Sequence, residues 1–250
     1  MNTNISTQEC ALAVIQSLRD LYREEMNCQI VHDSIHERRG WTREYALAID
    51  GAVVGYGSVA VAGPWKDKPA LYEYYVVPDR RSHVFDLFRA LLPACGAVSM
   101  EVQSNDALTT NMLHAFARDV VSEAIVFHDK LETRLQVPGV TVRMPTEAES
   151  PDLCEGERVW RRVIEVDGQI AANGGVLFHY NHPYGDIYMD VEEPFRRRGY
   201  GSLIVQELKR LCYERGHIPA ARCSTSNVAS YRTLQKAGLV PCAHILLGNL

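Results

Sequence analysis

Two segments of the chain carry the same order of secondary-structure signals, and this internal repeat restricts the fold more than any other feature. Residues 44–61 (EYALAIDGAVVGYGSVAV) and 161–178 (RRVIEVDGQIAANGGVLF) each contain two β-rich runs around an Asp-Gly pair. Asp-Gly between two such runs predicts a two-residue β-hairpin turn. Both halves of the chain are therefore predicted to contain a hairpin, turning at Asp50-Gly51 and at Asp167-Gly168.

The elements that follow the two hairpins also match. Each hairpin is followed by a β-rich run, by an amphipathic helix near residues 84–92 or 202–216, and by a further strand and helix. This alternation predicts an α/β (α+β) fold in which each domain is a mixed, mostly antiparallel, twisted sheet flanked by helices. A Val-Pro-Gly turn signal follows Gln136, so we predict one domain over residues 1–137 and a second over residues 138–250.

The first half has extra residues before its hairpin. Residues 7–26 (TQECALAVIQSLRDLYREEM) and a shorter stretch near residues 30–39 are predicted to be helices. No counterpart precedes the second hairpin, so the second domain is expected to lack these helices.

The composition limits the kind of partner. The chain is 46% hydrophobic and 23% charged, which is typical of a globular protein with a real core. A net charge of -5 argues against a non-specific nucleic-acid binder. No apolar run approaches the roughly 20 residues that span a bilayer, and the N-terminus does not resemble a signal peptide. We expect a cytoplasmic protein without a nucleic-acid or membrane partner.

The cysteines indicate neither a disulfide framework nor a metal site. Their number is seven, which is odd, and their spacing is irregular, as in proteins of reducing compartments. Zinc sites use closely paired ligands. That spacing is missing from the C-terminal candidates, Cys212, Cys223, Cys242 and His217. No metal is predicted.

A glycine-containing loop, RRRGYGS at residues 196–202, lies between a predicted strand and a predicted helix. Backbone N–H groups at a helix N-terminus converge on one point, where the helix dipole favours an anion. Gly199 and Gly201 would let a phosphate approach the main chain. The three arginines add positive charge, although such a run is also typical of a solvated surface. We interpret the loop as a phosphate-binding site.

The first half differs at the equivalent place, where it reads Arg80-Arg81-Ser82-His83-Val84-Phe85. Both glycines are replaced, and His83 and Phe85 are expected to fill the space that a phosphate would need. The first half is therefore predicted not to bind the same ligand and to have a structural or substrate-shaping role.

Residues 186–239 resemble the core of the GNAT superfamily of N-acetyltransferases. VEEPFRRRGYGSLIV is similar to the superfamily signature R/Q-x-x-G-x-G/A, with Arg196, Gly199 and Gly201 at its defining positions. NVASYRTLQKAGL is similar to the later helix of the superfamily, with matching residues at Asn227, Ser230, Leu234, Lys236 and Gly238. The first half resembles the superfamily only in the order of its elements, and tandem GNAT proteins are known.

The resemblance implies a degenerate GNAT-like first domain and a second domain that uses acetyl-CoA as co-substrate. It implies a V-shaped cleft between strands that end near Val191 and Ser224. Pantetheine would pair with the backbone of Met189, Asp190 and Val191. The pyrophosphate would be held by amides of Arg197, Arg198, Gly199, Tyr200, Gly201 and Ser202.

The resemblance also implies coenzyme contacts from the later helix. Asn227 would contact the pantetheine arm, and Ser230 and Arg232 would lie nearer the nucleotide. A helix N-cap is the alternative role of Asn227 and Ser230, because both residue types cap helices well.

The catalytic groups are less clearly marked. Many GNAT members protonate the departing thiolate with a tyrosine at the position that Leu234 occupies here. Tyr231, three residues earlier on the same helical face, and Tyr200 are candidate replacements, although packing roles are typical of both. Asp186 is our first candidate for the base, since it lies nearest the expected acceptor end. The further candidates are Asp190, Glu192, Glu193, His179 and His182.

The acceptor is expected to be the primary amine of a small molecule. This amine would attack acetyl-CoA directly. Because the second half lacks the early helices, the first half is expected to wall the acceptor site. Its candidate side chains, all of types that are also common in cores, are Trp41, Trp65, Tyr72, Glu73 and Tyr74. A homodimer is an assembly that the sequence leaves open.

Two other functions stay open. The replacement of the family's tyrosine by Leu234 suits a non-catalytic acyl-CoA-binding regulatory module. A thiol enzyme would use Cys223 with His217 or His244, but Cys223 lies on a predicted buried strand, where thiols are commonly inert.

Overall fold

The structure is a computed structural model that describes residues 4–29, 33–149, 159–178 and 181–250. The first elements in chain order are β1 (Ile5–Cys10), α1 (Leu12–Met26), α2 (Asp33–His36), β2 (Thr42–Ile49), β3 (Ala52–Ala60), β4 (Ala70–Val76), α3 (Val84–Cys95), β5 (Ser99–Gln103), α4 (Ala107–Phe116) and β6 (Arg118–Asp129). They are followed by β7 (Thr141–Arg143), β8 (Val159–Val166), β9 (Gln169–Leu177), β10 (Tyr184–Val191), α5 (Tyr200–Glu214), β11 (Ile218–Ser224), α6 (Val228–Lys236) and β12 (Leu239–Asn249).

The chain forms two compact units. Among the described residues, the first unit contains 4–28, 33–123 and 244–250, and the second contains 29 and the described part of 124–243. β6 and β12 each have one end in either unit. The units therefore differ from the segments 1–137 and 138–250, because the end of β12 pairs with β5 of the first unit. As a boundary between the sequence repeats, residue 137 stays a prediction.

In the first unit, the strands lie in the order β1-β2-β3-β4-β5, followed by residues 245–249 of β12. Neighbouring strands are antiparallel except β4 and β5, which are parallel. Helix α3 buries Leu87, Phe88 and Leu91 completely against the sheet. Burial of each such side chain stabilises the fold by about 1.5–3 kcal/mol relative to exposure.

In the second unit, the end of β6 is followed by β11, β10, β9, β8 and β7. Here too only one neighbouring pair is parallel, β10 with β11. Helix α5 buries Ile204, Val205 and Leu208 completely against this sheet. The predicted fold class, a mixed and mostly antiparallel sheet flanked by helices, is confirmed in both units.

Both predicted hairpins are present with the predicted turn chemistry. Asp50 and Gly51 have φ of 50° and 83°, and Asp167 and Gly168 have φ of 49° and 77°. Positive φ at both central residues is what a type I′ turn requires. The local Asp-Gly signal therefore determines both turns.

The repeat extends to the packing of helix on sheet. A Cβ on Gly57 of β3 would collide with Leu91 of α3, and a Cβ on Gly174 of β9 would lie 2.9 Å from Leu208 of α5. The sequence spacing between glycine and leucine is the same in both units. Helices α3 and α5 are therefore equivalent, and counting back from the leucines matches Val84 with Gly201.

The start of the chain differs from the prediction. Residues 7–10 were expected to begin a helix, but Ile5–Cys10 forms β1, which pairs with β2 from Ile5↔Ile49 to Cys10↔Glu44. This pairing joins residues distant in sequence, so helical periodicity alone did not indicate it. The helix expected near residues 30–39 is Asp33–His36 within the described residues. None of the described helices is long and apolar enough to cross a membrane.

Candidate functional site

Strands β10 and β11 separate along their length. Their parallel pairing covers three residue pairs and ends at Asp186↔Ala220. Beyond this pair, β10 continues to Val191 beside β9, and β11 continues to Ser224 beside β6. The facing backbone edges of residues 187–191 and 221–224 thus border an opening, here called the wedge, which narrows to Asp186 and Ala220. The expected V-shaped cleft between these strands is present.

A left-handed loop follows β10 at the wide end of the wedge. Arg197 has φ of 64°, and Gly199, the N-cap of α5, has φ of 90°. No side chain caps α5. The first N–H groups of a helix have no partner within the helix, so those of Tyr200, Gly201 and Ser202 are directed beyond its N-terminus. Anion sites at helix N-termini have this geometry, and phosphate binding by the loop stays a prediction.

Close contacts fix the position of the loop and of α5. Arg196 Nε donates to the Val191 carbonyl at 3.0 Å, which ties the loop to the end of β10. A Cβ on Gly201 would lie 3.0 Å from Thr233 Cγ2 and 3.2 Å from Val191 Cγ2. Gly201 therefore serves the close packing of α5 against α6 and β10, whereas Gly199 serves the left-handed turn.

Two loop side chains point away from an incoming ligand. Tyr200 is 6% exposed and lies in the hydrophobic core, near Phe195. The Ser202 hydroxyl donates to the Thr233 carbonyl at 3.1 Å. Both residues can offer a ligand their backbone N–H groups, and the burial of Tyr200 favours its packing role over proton transfer.

Positively charged side chains lie on the loop and beside it. Arg196, Arg197 and Arg198 are exposed. Lys236 Nζ would lie 3.9 Å from a Cβ on Gly199, so α6 adds a positive charge beside the loop. No ligand role was predicted for Lys236, although it lies four residues after Arg232 and so on the same helical face.

Helix α6 contains the residues expected to touch the coenzyme. The Asn227 side chain accepts from the Ser230 N–H at 3.0 Å, so Asn227 is the N-cap of α6. Asn227 and Arg232 are exposed and Ser230 is half-buried. Capping uses the side-chain oxygen of Asn227 and leaves its amide nitrogen for a ligand.

The candidate catalytic residues occupy different places. Asp186, at the narrow end of the wedge, is 6% exposed. Tyr231 is half-buried against the core, and Leu234 is buried within it. Asp190, Glu192, Glu193 and His182 are exposed. His179 lies outside the described residues. Asp186 is thus the candidate base at the narrow end.

Lys209 was missed as an organising residue of this region. It is 5% exposed, and its Nζ lies 2.6 Å from Asp129 Oδ1, 2.8 Å from the Leu131 carbonyl and 2.7 Å from the Ala237 carbonyl. The lysine thereby fixes α5 to the end of α6. Its position one turn after Val205, on the apolar face of the helix, was the available signal.

The first unit contains a related loop that is shorter. Arg81 Nε donates to the Val76 carbonyl at 3.1 Å, the same contact that Arg196 makes with Val191. Only two residues separate Arg81 from Val84, whereas four separate Arg196 from the equivalent Gly201. The expectation that His83 and Phe85 fill a phosphate space is thus corrected. The turn itself is shortened, and Phe85 is 44% exposed on α3.

The first unit also closes its counterpart of the wedge. Strands β4 and β5 pair in parallel only as far as Leu71↔Met100. Past that point, the Thr109 hydroxyl of α4 lies 3.2 Å from the Tyr74 carbonyl. Tyr74 is opposite Gly57, as Met189 is opposite Gly174, so the two residues are equivalent. In the first unit, α4 therefore contacts the edge of β4 that is equivalent to the wedge-facing edge of β10 at Met189.

The helix that closes the first wedge is firmly held. Asp106 caps α4 by accepting from the Thr109 N–H at 2.9 Å, and the Tyr22 hydroxyl donates to Asp106 at 3.0 Å. Asp106 is 2% exposed and Thr109 is fully buried. Ser230 has the same place after its cap as Thr109, but it is half-buried.

The residues of the first half that were expected to wall an acceptor site are packed inside the first unit. Tyr72, Glu73 and Tyr74 are at most 6% exposed. Arg19 Nε lies 3.0 Å from Glu73 Oε2, and His36 Nε2 lies 3.3 Å from Glu73 Oε1. Burial alone raises the pKa of Glu73, but the charges of Arg19 and His36 outweigh it and hold that pKa well below its ordinary value. Trp41 and Trp65 pack beside Tyr72.

The geometry does not favour a thiol enzyme. Cys223 is 7% exposed, and burial raises the pKa of its thiol, which disfavours the reactive thiolate. His217 Nδ1 lies 3.1 Å from the Pro183 carbonyl, and His244 Nδ1 lies 2.7 Å from Ser122 Oγ. Within the described parts of the chain, no group of His, Cys, Asp and Glu side chains could hold a metal ion.

Comparison with known proteins supports the same fold. Residues 176–241 match the FR47-like protein family. The chain is similar to a GNAT-family acetyltransferase from Colwellia psychrerythraea, with 15% identity, a TM-score of 0.77 and 99% of each chain covered. A GCN5-related N-acetyltransferase from Sphaerobacter thermophilus has 14% identity and a TM-score of 0.64, over 98% of this chain and 95% of its own.

A tandem GNAT protein from the clavulanic acid biosynthesis pathway is also similar. It has 14% identity and a TM-score of 0.63, with 100% of this chain and 98% of its own covered. No curated protein matches the chain by sequence. The structural likeness extends over both units, which together have the fold of these acetyltransferases.

Proposed function

From a chain that has the GNAT fold throughout and an FR47-like match at residues 176–241, we propose an acyl-CoA-dependent N-acetyltransferase with one coenzyme site, in the second unit. One observation carries this proposal. The wedge between β10 and β11 is open beside a left-handed loop at the N-terminus of α5, whereas α4 closes the equivalent opening in the first unit.

The wedge suits an elongated ligand with phosphates at one end. The N–H groups of residues 197–202 are proposed to bind the pyrophosphate, with Arg197 and Arg198 supplying charge. The edge of β10 that faces the wedge, at Met189, Asp190 and Val191, would pair with the amides of the pantetheine arm. Asn227, Ser230 and Arg232 of α6 are proposed to contact the ligand as well.

The length of the wedge supports a thioester at its narrow end. Val191 lies five residues from Asp186, and a strand rises about 3.3 Å per residue, so the free edge is about 16 Å long. An extended pantetheine arm has a similar length. With its pyrophosphate at the loop, the acetyl group would lie at the narrow end of the wedge, next to the Asp186↔Ala220 pair.

The reaction is direct transfer to an amine. The nitrogen attacks the thioester carbonyl, the C–S bond breaks, and the thiolate departs. Asp186 is proposed to attract the ammonium form of the acceptor and promote its deprotonation. Tyr231 is the proposed proton donor to the thiolate, because Leu234 holds the position where the family has a tyrosine.

The acceptor proposed for this site is a small primary amine. Acidic side chains favour a cation, and the carboxylate of Asp186 lies at the narrow end, where the acetyl group would be. A competing function is a regulatory module that binds acyl-CoA without turnover, which the loss of the family's tyrosine at Leu234 favours.

Charge reversal at the loop tests the proposed coenzyme site. In the variant Arg197→Glu/Arg198→Glu, we expect the Kd for acetyl-CoA to rise at least about tenfold, because charge-assisted phosphate contacts are lost. The control is Arg80→Glu, since the Arg80 side chain is 52% exposed on the shortened loop of the first unit. Calorimetric titration measures the Kd for acetyl-CoA of the wild type, the double variant and the control.

The same preparations separate the two functions. Thiol release from acetyl-CoA across a panel of small amines would support the acetyltransferase, whereas tight binding without turnover would support the regulatory module. Failure of the wild type to bind acetyl-CoA would contradict both.

A further inference from the structure

The narrow end of the wedge belongs to a row of paired residues that includes a histidine. Asp186 of β10 is opposite Ala220 of β11, and Ala220 is opposite His128 of β6. Directly paired residues present their side chains on the same face of a sheet. His128 and Asp186 therefore flank the methyl group of Ala220.

Their face is the one that points away from α5. Phe127, Ala221 and Ile187 follow or precede these three residues in their strands, and all pack in the core around α5. Side chains alternate along a strand, so the row of His128, Ala220 and Asp186 faces the opposite side. The imidazole of His128 is thus not part of the core around α5.

The two side chains lie on either side of one small residue. Adjacent strands lie about 4.8 Å apart, so the Cα atoms of His128 and Asp186, two strands apart, are separated by about 10 Å. Ala220, which is fully buried, contributes only a methyl group between them. An amine that reaches the narrow end of the wedge would have a carboxylate on one side and an imidazole on the other.

We propose that His128 is a catalytic residue that accepts the proton of the acceptor amine, while Asp186 holds the ammonium group beside the thioester. This inference rests on the proposed function and refines the role of Asp186. It depends on the thioester lying at the Asp186–Ala220 pair, where the length of the wedge places it.

The proton and electron balance follows directly. The ammonium nitrogen gives one proton to the neutral imidazole of His128, and its lone pair forms the C–N bond with the acetyl carbonyl carbon. The C–S bond breaks, and its electron pair leaves on the thiolate of CoA. Tyr231 protonates that thiolate and takes up the second nitrogen proton, which is released as the amide forms. His128 is half-buried and returns its proton to water.

The surroundings of His128 keep the imidazole neutral. Burial lowers its pKa, the positive charge of Lys130 lowers it further, and Asp129 acts in the opposite sense. On β10 and β11, Asp186, Asp190 and Arg222 have charged side chains on the same face. A neutral imidazole is the form that can accept a proton near pH 7.

An acceptor-independent test uses NMR of ring-labelled histidines. The chain has nine histidines, and the variant His128→Gln identifies the signal of His128. We expect acetyl-CoA to shift that signal and adenosine 3′,5′-bisphosphate, which lacks the pantetheine arm, to leave it unchanged. Binding of acetyl-CoA without a shift, or equal shifts with both ligands, would overturn the role of His128 while the coenzyme site stands. No binding would contradict the proposed function itself.

Kinetics provide the second test, with an amine that the wild type acetylates. General base catalysis contributes about 100-fold or more, so His128→Gln should lower kcat by about that factor and leave the Kd for acetyl-CoA unchanged. The wild-type rate should fall as the pH drops through the lowered pKa of His128, and the variant should lose this limb. The control is His114→Gln, at an exposed histidine of α4. A wild-type pH profile in His128→Gln would refute the proposal.

Discussion

At the scale of single residues, glycines with positive φ have two different functions in this chain. Gly199 provides a turn in open space, since a Cβ there would come no nearer than 3.6 Å to Val137. Gly238 also has φ of 90°, but its Cβ would collide with the Leu131 carbonyl and lie 2.9 Å from Lys209 Nζ. The glycine after α6 is thus needed for the buried contacts of Lys209.

We predict that Gly238→Ala is markedly more destabilising than Gly216→Ala. A Cβ on Gly216 meets nothing within 4 Å, although its φ is 75°, so only the left-handed conformation opposes alanine there, at about 1–2 kcal/mol. At Gly238 the collision adds about 1–3 kcal/mol. Denaturant unfolding of both variants measures the difference. Equal losses would show that the Lys209 contacts adjust without cost.

At the scale of elements, α4 and α6 begin with the same kind of cap but pack differently against their sheets. Each has a capping side chain that accepts from the third residue of the helix, Asp106 from Thr109 and Asn227 from Ser230. In the first unit this turn is buried and touches β4. In the second unit it is partly exposed beside the loop before α5. The same cap supports a closed wedge in one unit and an open one in the other.

Removing the two caps should therefore have different effects. Asn227→Ala is expected to cost about 1 kcal/mol of stability and to raise the Kd for acetyl-CoA severalfold, because it loses both a cap and a ligand contact. Asp106→Ala should cost about 2–4 kcal/mol, since Tyr22 and Thr109 lose a buried partner, and should leave that Kd unchanged. Thermal unfolding and calorimetry measure both. A raised Kd in Asp106→Ala would contradict the assignment of the coenzyme to the second unit.

The elements that the sequence predicted well are those with local signals. Asp-Gly pairs determine the hairpins, and apolar periodicity indicates α3 and α5. The strand Ile5–Cys10 was missed because its partner, β2, lies far along the chain. The closed wedge of the first unit could not be predicted either, since it depends on the contact of Thr109 with the Tyr74 carbonyl. The row containing His128 likewise requires the register of three strands.

At the scale of the whole molecule, the chain contains two copies of one fold, and their equivalent wedges differ. Both copies have a parallel pair of strands that separates, and both have an arginine bound to the carbonyl at the end of the first strand. Among the residues that the structure describes, only the second copy has the longer loop and the open edge of that strand. We therefore predict one coenzyme site in each chain.

The number of acetyl-CoA molecules bound per chain tests the prediction of one coenzyme site. Calorimetric titration of the wild-type chain should give one site per chain, lost in Arg197→Glu/Arg198→Glu and retained in Arg80→Glu. Two sites per chain would show that the first unit also binds the coenzyme, and no site would contradict the account as a whole.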